Sequence, residues 1–196
     1  EWAYGGWHVD DTWSVTMGRQ KFDVQRGFMM NAEDQQAIER SLYTYFWATS
    51  QITNGLKLSG NMDQMRMNVM VANGASAQSA GTNPTALAND HGWSVTGRGE
   101  FLLNGTWDQF DHMSSSMGAS EGMLWGFGAG YLKNQNGDGQ SNWLITSDLA
   151  YHADGWNLYG SVTYGRNNPA ANVAGPERNA FGFEVGGGMH LDADNE

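Results

Sequence analysis

Residues 142–166, NWLITSDLAYHADGWNLYGSVTYGR, constrain the fold more than any other stretch of the chain. Two arms of 10–12 residues meet at Ala153-Asp154-Gly155, and each alternates apolar with polar side chains. In the first arm Trp143, Ile145, Leu149 and Tyr151 fall on one face, with Asn142, Thr146, Asp148 and His152 on the other. In the second, Trp156, Leu158, Val162 and Tyr164 oppose Asn157, Ser161, Thr163 and Gly165. Side chains on a strand point to opposite faces with period two, so this is a hairpin with one apolar and one polar side. The arms exceed the common strand length of about 5–6 residues and match the roughly 9–11 that cross a bilayer at a tilt. Aromatic residues sit near the ends of the apolar faces, where an interfacial girdle would lie.

The same pattern recurs along the chain. Segments 1–9 and 12–20 flank a two-residue turn at Asp10-Asp11, and 53–61 and 65–73 flank Met62-Asp63-Gln64. Further strands are predicted over 92–103, 122–133 and 179–190, which makes nine. Tight turns at 10–11, 62–64 and 153–155 alternate with long connections at 21–51, 74–91, 134–141 and 167–178, while 104–121 is long on the short side. Within 21–51, the aromatic part 42–51 reads equally as a strand or as a loop packed inside. Such alternation implies an all-β, antiparallel transmembrane β-barrel, with residues 1–196 as one barrel domain. Nine is odd and bacterial single-chain barrels are even, so the nine strands are expected to be part of a larger barrel, in a chain numbered from inside a longer one.

Composition agrees. Trp, Tyr and Phe supply 24 residues and Gly 27, against 3 Pro, a mixture suited to long aromatic strands with close backbone approaches. No apolar run reaches 18 residues, so a transmembrane helix is not expected. Cysteine is absent, which removes disulfides and thiolate metal sites. The net charge of -11 argues against nucleic acid as a partner.

Residues 18–41, GRQKFDVQRGFMMNAEDQQAIERS, run from Gly18-Arg19-Gln20-Lys21 to Glu39-Arg40-Ser41. Gly55–Gly60 reads Gly-Leu-x-Leu-Ser-Gly, a later strand ends Ala72-Asn73-Gly74, and Asn104-Gly105-x-Trp107-x-x-Phe110 precedes a Gly-rich strand. In this order the motifs resemble the phosphate-selective porins, the porin O and P family, over about residues 3–166. Asp23 stands where that family usually has Pro. The resemblance implies a sixteen-stranded barrel in the bacterial outer membrane, usually a homotrimer among lipid and lipopolysaccharide, passing small solutes or ions by diffusion, with no cofactor and no catalysis.

Strand parity assigns Lys57, Arg66, Arg98 and Arg166 to the pore lining, against Glu100, Asp148 and Glu184. That is a mixed lining and not the basic ladder that phosphate selectivity requires, so a general pore, neutral to mildly cation-preferring, is expected. Lys21, Arg26 and Arg40 lie in the segment expected to fold inward and narrow the pore; the alternative is an ordinary solvated loop. Two other function classes remain. Exposed Trp and Tyr on a secreted β-sandwich would bind glycans, and His112 beside Asp111 and 114–116, or His152, would serve a barrel hydrolase. A triad converges from separate segments, however, and does not consist of neighbours in sequence. The run 134–138, NQNGD, offers oxygens to Ca²⁺ but lacks the closing Glu of a full loop, so no metal site is expected.

Overall fold

A computed structural model describes residues 3–21, 23–37, 52–73, 92–133, 141–168 and 177–190. Its strands are β1 (Ala3–His8), β2 (Trp13–Lys21), β3 (Ile52–Asn61), β4 (Met65–Ala72), β5 (Trp93–Asn104), β6 (Gly122–Lys133), β7 (Ser141–Ala153), β8 (Trp156–Asn168) and β9 (Arg178–Met189). They form one antiparallel sheet in sequence order, each strand bonded to its chain neighbours. The outer edges of β1 and β9 are not joined among the described residues. Among the described residues helix is confined to a single turn, α1 (Arg26–Met29), and two 3₁₀ turns at Ala32–Asp34 and Trp107–Phe110.

The turns follow from local chemistry. β7 and β8 are joined by Asp154-Gly155, and Gly155 has φ of +68°, as a tight hairpin needs. The first turn is wider than two residues. Asp10 Oδ1 accepts from the backbone N–H of Thr12 at 2.8 Å and of Trp13 at 2.7 Å, which makes 9–12 an Asx-stabilised loop.

The sheet has an inverted distribution of polarity. On one face Trp7, Leu56, Val71, Ile145, Leu158, Val162, Phe181 and Phe183 are exposed, Phe183 at 69%. On the other, Thr53, Ser94, Thr96, Arg98, Glu100, Thr146, Asp148, Asn157 and Thr163 are buried. They are covered by residues 23–37, which follow β2, and by 105–121, which follow β5.

Two small apolar clusters hold these segments down. Val24 packs in one with Met70 and Ala72 of β4 and Leu144 of β7. A flat sheet would separate β4 from β7 by about 14 Å, so the sheet curls around the segment. In the other cluster Met30, Phe110 and Met113 meet Leu102, Leu124, Ala150 and Tyr159. The long 105–121 connection, anomalous for its end of the sheet, is thereby explained: it turns back onto the polar face. Gly105 (φ +91°) starts it, and Thr106 and Gln109 form a capping box on the 3₁₀ turn. The expected strands match the observed ones within two residues at their ends; 42–51 lies outside the described residues.

Candidate functional site

The polar face is organised around Arg98 in the middle of β5. Arg98 Nη1 and Nη2 donate to the two carboxylate oxygens of Asp148 on β7, both at 2.8 Å. The pair spans the intervening strand β6, and only a glycine fits beneath it. A Cβ at Gly126 would lie 2.2 Å from Arg98 Nη2 and 2.6 Å from Asp148 Oδ1. Arg98 also donates to Glu100 Oε1 from Nε at 3.1 Å and Nη2 at 2.9 Å, and from Nη1 to the Val24 carbonyl at 3.0 Å. The guanidinium is fully enclosed. Such a bidentate, charge-assisted fork fixes geometry as well as charge.

Arg26 enters from the covering segment. Its Nη1 reaches Glu100 Oε1 at 3.4 Å and Nη2 donates to the Phe110 carbonyl. Burial pushes the Arg26 guanidinium below its ordinary value, partly offset by the charges of Glu100 and Asp148. The same segment is sewn to β8 by Gln25 Nε2, which donates to Thr163 Oγ1 at 3.1 Å, and by Gln36, which pairs with the Asn157 amide. Gly128 completes the seat: a Cβ there would meet the Val24 carbonyl oxygen at 2.2 Å.

Toward β3 and β4 the charges are spread out. Lys57 Nζ donates to Asp23 Oδ2 at 2.9 Å and to the Lys21 carbonyl at 3.2 Å. Lys21 Nζ reaches the Met29 carbonyl and Asn31 Oδ1, each at 3.4 Å. Arg66 lies 4.2 Å above the Trp107 ring, whose Nε1 donates to the Asp63 carbonyl. A cavity of about 470 Å³ opens here between the covering segment and β1–β5.

The structure therefore places Lys57, Arg66, Arg98, Glu100 and Asp148 on the polar face. Glu184 also lies there, half-buried and opposite Ser161. Arg166 does not: it is in register with Trp143, on the apolar side at the end of β8, and pairs with Glu177 and Asn168. This corrects the expectation that Arg166 lines the pore: counted from Tyr164 through Gly165, parity itself leads to the apolar side. Lys21 and Arg26 belong to the covering segment or its root; Arg40 and the 134–138 loop lie outside the described residues. His112 Nδ1 meets Asp34 at 2.8 Å, whereas the Ser115 hydroxyl donates to the Ala153 carbonyl. The serine and histidine are thus each engaged elsewhere, and His152 packs its ring on Phe110 at 4.8 Å. Among the described residues no three His, Cys, Asp or Glu converge as metal ligands. Gln25, Gln36, Asp23 and Asp34 escaped sequence reasoning, because a loop residue shows no periodicity that marks its partner.

No family model, curated protein or solved structure matches the chain.

Proposed function

We propose that the chain forms wall strands of an outer-membrane porin, a water-filled transmembrane β-barrel through which small hydrophilic solutes or ions diffuse. The observation that carries this reading is the inverted polarity of the sheet. One face exposes a continuous field of large apolar side chains, and the opposite face buries charges and hydroxyls. In water the first face would be an aggregation surface, far larger than the patches monomeric soluble proteins tolerate. In lipid it is the stable arrangement, and the polar face becomes the lumen.

Spacing supports it. Trp143 and Tyr151 on β7, and Trp156 and Tyr164 on β8, are each eight residues apart on the apolar face. That is about 26 Å along a strand, or about 20 Å across a bilayer at a 40° tilt, close to the apolar band of about 25 Å in such barrels. An open edge cannot face lipid, so in the assembled wall the edges of β1 and β9 must be paired, as they are in the barrel family the motifs resemble. A sandwich module is disfavoured, because the described strands form one sheet and no second sheet packs on either of its faces among the described residues.

With Arg166 outside, the lumen charges are Lys57, Arg66 and Arg98 against Glu100, Asp148 and Glu184, a balanced set. Strong phosphate selectivity is not expected of it. Purified full-length protein, extracted with detergent and added to a planar bilayer, should give discrete conductance steps. Absence of steps would remove the reading.

A further inference from the structure

The covering segment divides the polar face unequally. Over β6–β8 it is in direct contact: the Val24 carbonyl sits where a Cβ of Gly128 would be, Gln25 bonds Thr163, and Gln36 bonds Asn157. Over β1–β5 it stands away, leaving the 470 Å³ cavity bounded by Ser14, Thr16, Ser59, Asn61 and Asn68. The charges around that cavity are engaged with the protein itself. Lys57 is neutralised by Asp23, Arg98 by Asp148 and Glu100, Lys21 is turned to the Met29 carbonyl, and Arg66 is stacked on Trp107. The Thr16 hydroxyl donates to Gln20 Oε1, while Ser14, Ser59 and Asn61 border the cavity and Asn68 keeps a buried side-chain oxygen without a partner.

Resting on the porin reading, we propose that along this wall the conducting path is off-centre, running through the cavity between residues 23–37 and β1–β5 and not over β6–β8, and that it is built for small uncharged polyhydroxylated solutes, the chemistry of sugars and polyols. An anion entering it finds Lys57 and Arg98 already paired with carboxylates, and a cation finds Asp23 and Glu100 already paired with cations. A hydroxyl both donates and accepts, as the Ser, Thr and Asn side chains here do. The Lys57–Asp23 pair, one member on the wall and one on the segment, keeps the path neutral at its edge.

The chain has no cysteine, which makes single-cysteine scanning direct. Full-length protein carrying Ser59→Cys or Thr163→Cys is placed in a planar bilayer and treated with a bulky methanethiosulfonate reagent. Ser59→Cys should lose about half its conductance or more and Thr163→Cys almost none; equal block, or block at Thr163→Cys alone, overturns the off-centre path. In liposome swelling, a neutral hexose should enter several times faster than a monoanion or a monocation of matched size. Asp23→Asn should release Lys57 and move the reversal potential toward anion preference. Conductance with charged solutes faster than the hexose refutes the proposed solute class while the pore stands. Absence of both conductance and swelling removes the pore and this inference together.

Discussion

Replacing Gly128 with alanine tests how tightly the covering segment is seated. The new Cβ would fall 2.2 Å from the Val24 carbonyl oxygen and 3.0 Å from its carbonyl carbon. Ordinary contact begins at 3.4 Å, so this backbone carbonyl must retreat by about 1 Å. Arg98 cannot follow it, being held by Asp148 and Glu100, so the 3.0 Å bond from Arg98 to Val24 stretches beyond hydrogen-bonding range. Loss of one hydrogen bond to a charged donor costs about 1.5–3 kcal/mol. Gly160→Ala is the control. It is also mid-strand, but its Cβ would meet nothing closer than the Glu184 carbonyl at 3.9 Å. Both substitutions share the strand preference of Ala over Gly, about 0.5–1 kcal/mol, which cancels in the comparison. Urea unfolding of full-length protein in detergent micelles, followed by tryptophan fluorescence, should therefore show Gly128→Ala less stable than Gly160→Ala by about 1.5–3 kcal/mol. Agreement of the two variants within about 0.5 kcal/mol would refute the claim that the segment rests directly on β6.

Val162→Arg, at the centre of β8 on the apolar face, should cost about 2–4 kcal/mol when that face meets lipid; a change within about 0.5 kcal/mol in the same unfolding assay would mean the face meets water. Asp148→Ala strands the enclosed Arg98 with Glu100 alone and should cost about 3 kcal/mol, whereas Arg98→Met with Asp148→Ala should cost less than the single change. A double-mutant cycle reads that difference, and additivity would count against the pair. His112→Ala removes a pair whose histidine is mostly exposed, so stability should fall by at most about 1 kcal/mol and single-channel conductance should be unchanged. Lys57→Ala and Arg66→Ala should each shift the reversal potential toward cations, because both side chains border the open cavity.

The strands were legible because two chemically different surroundings leave a period-two imprint on the same residues. Trp143, Ile145 and Leu149 had to match one, Thr146, Asp148 and His152 the other. The imprint runs unbroken through Gly165-Arg166: Gly165 falls with the polar residues, so Arg166 shares the face of Tyr164 and Trp143, and its place among the lining charges is a miscount of parity. The imprint is silent about apolar residues on the polar face. Met70, Leu102, Leu124, Leu144 and Tyr159 point inward because 23–37 and 105–121 bring Val24, Met30, Phe110 and Met113 to them. Those contacts join parts of the chain too distant for a local pattern to register. That Lys57, Arg98, Glu100 and Asp148 share the polar face follows from parity, but their pairings do not, since the Arg98–Asp148 pair depends on which glycine lies between two strands.

Because every strand neighbours its predecessor, the sheet can be laid down in the order of the chain, each hairpin templating the next. The covering segment cannot keep that schedule. Gln25 waits for Thr163, 138 residues downstream, and Val24 waits for Arg98 and Leu144. Its docking can therefore be completed only after β8 has formed.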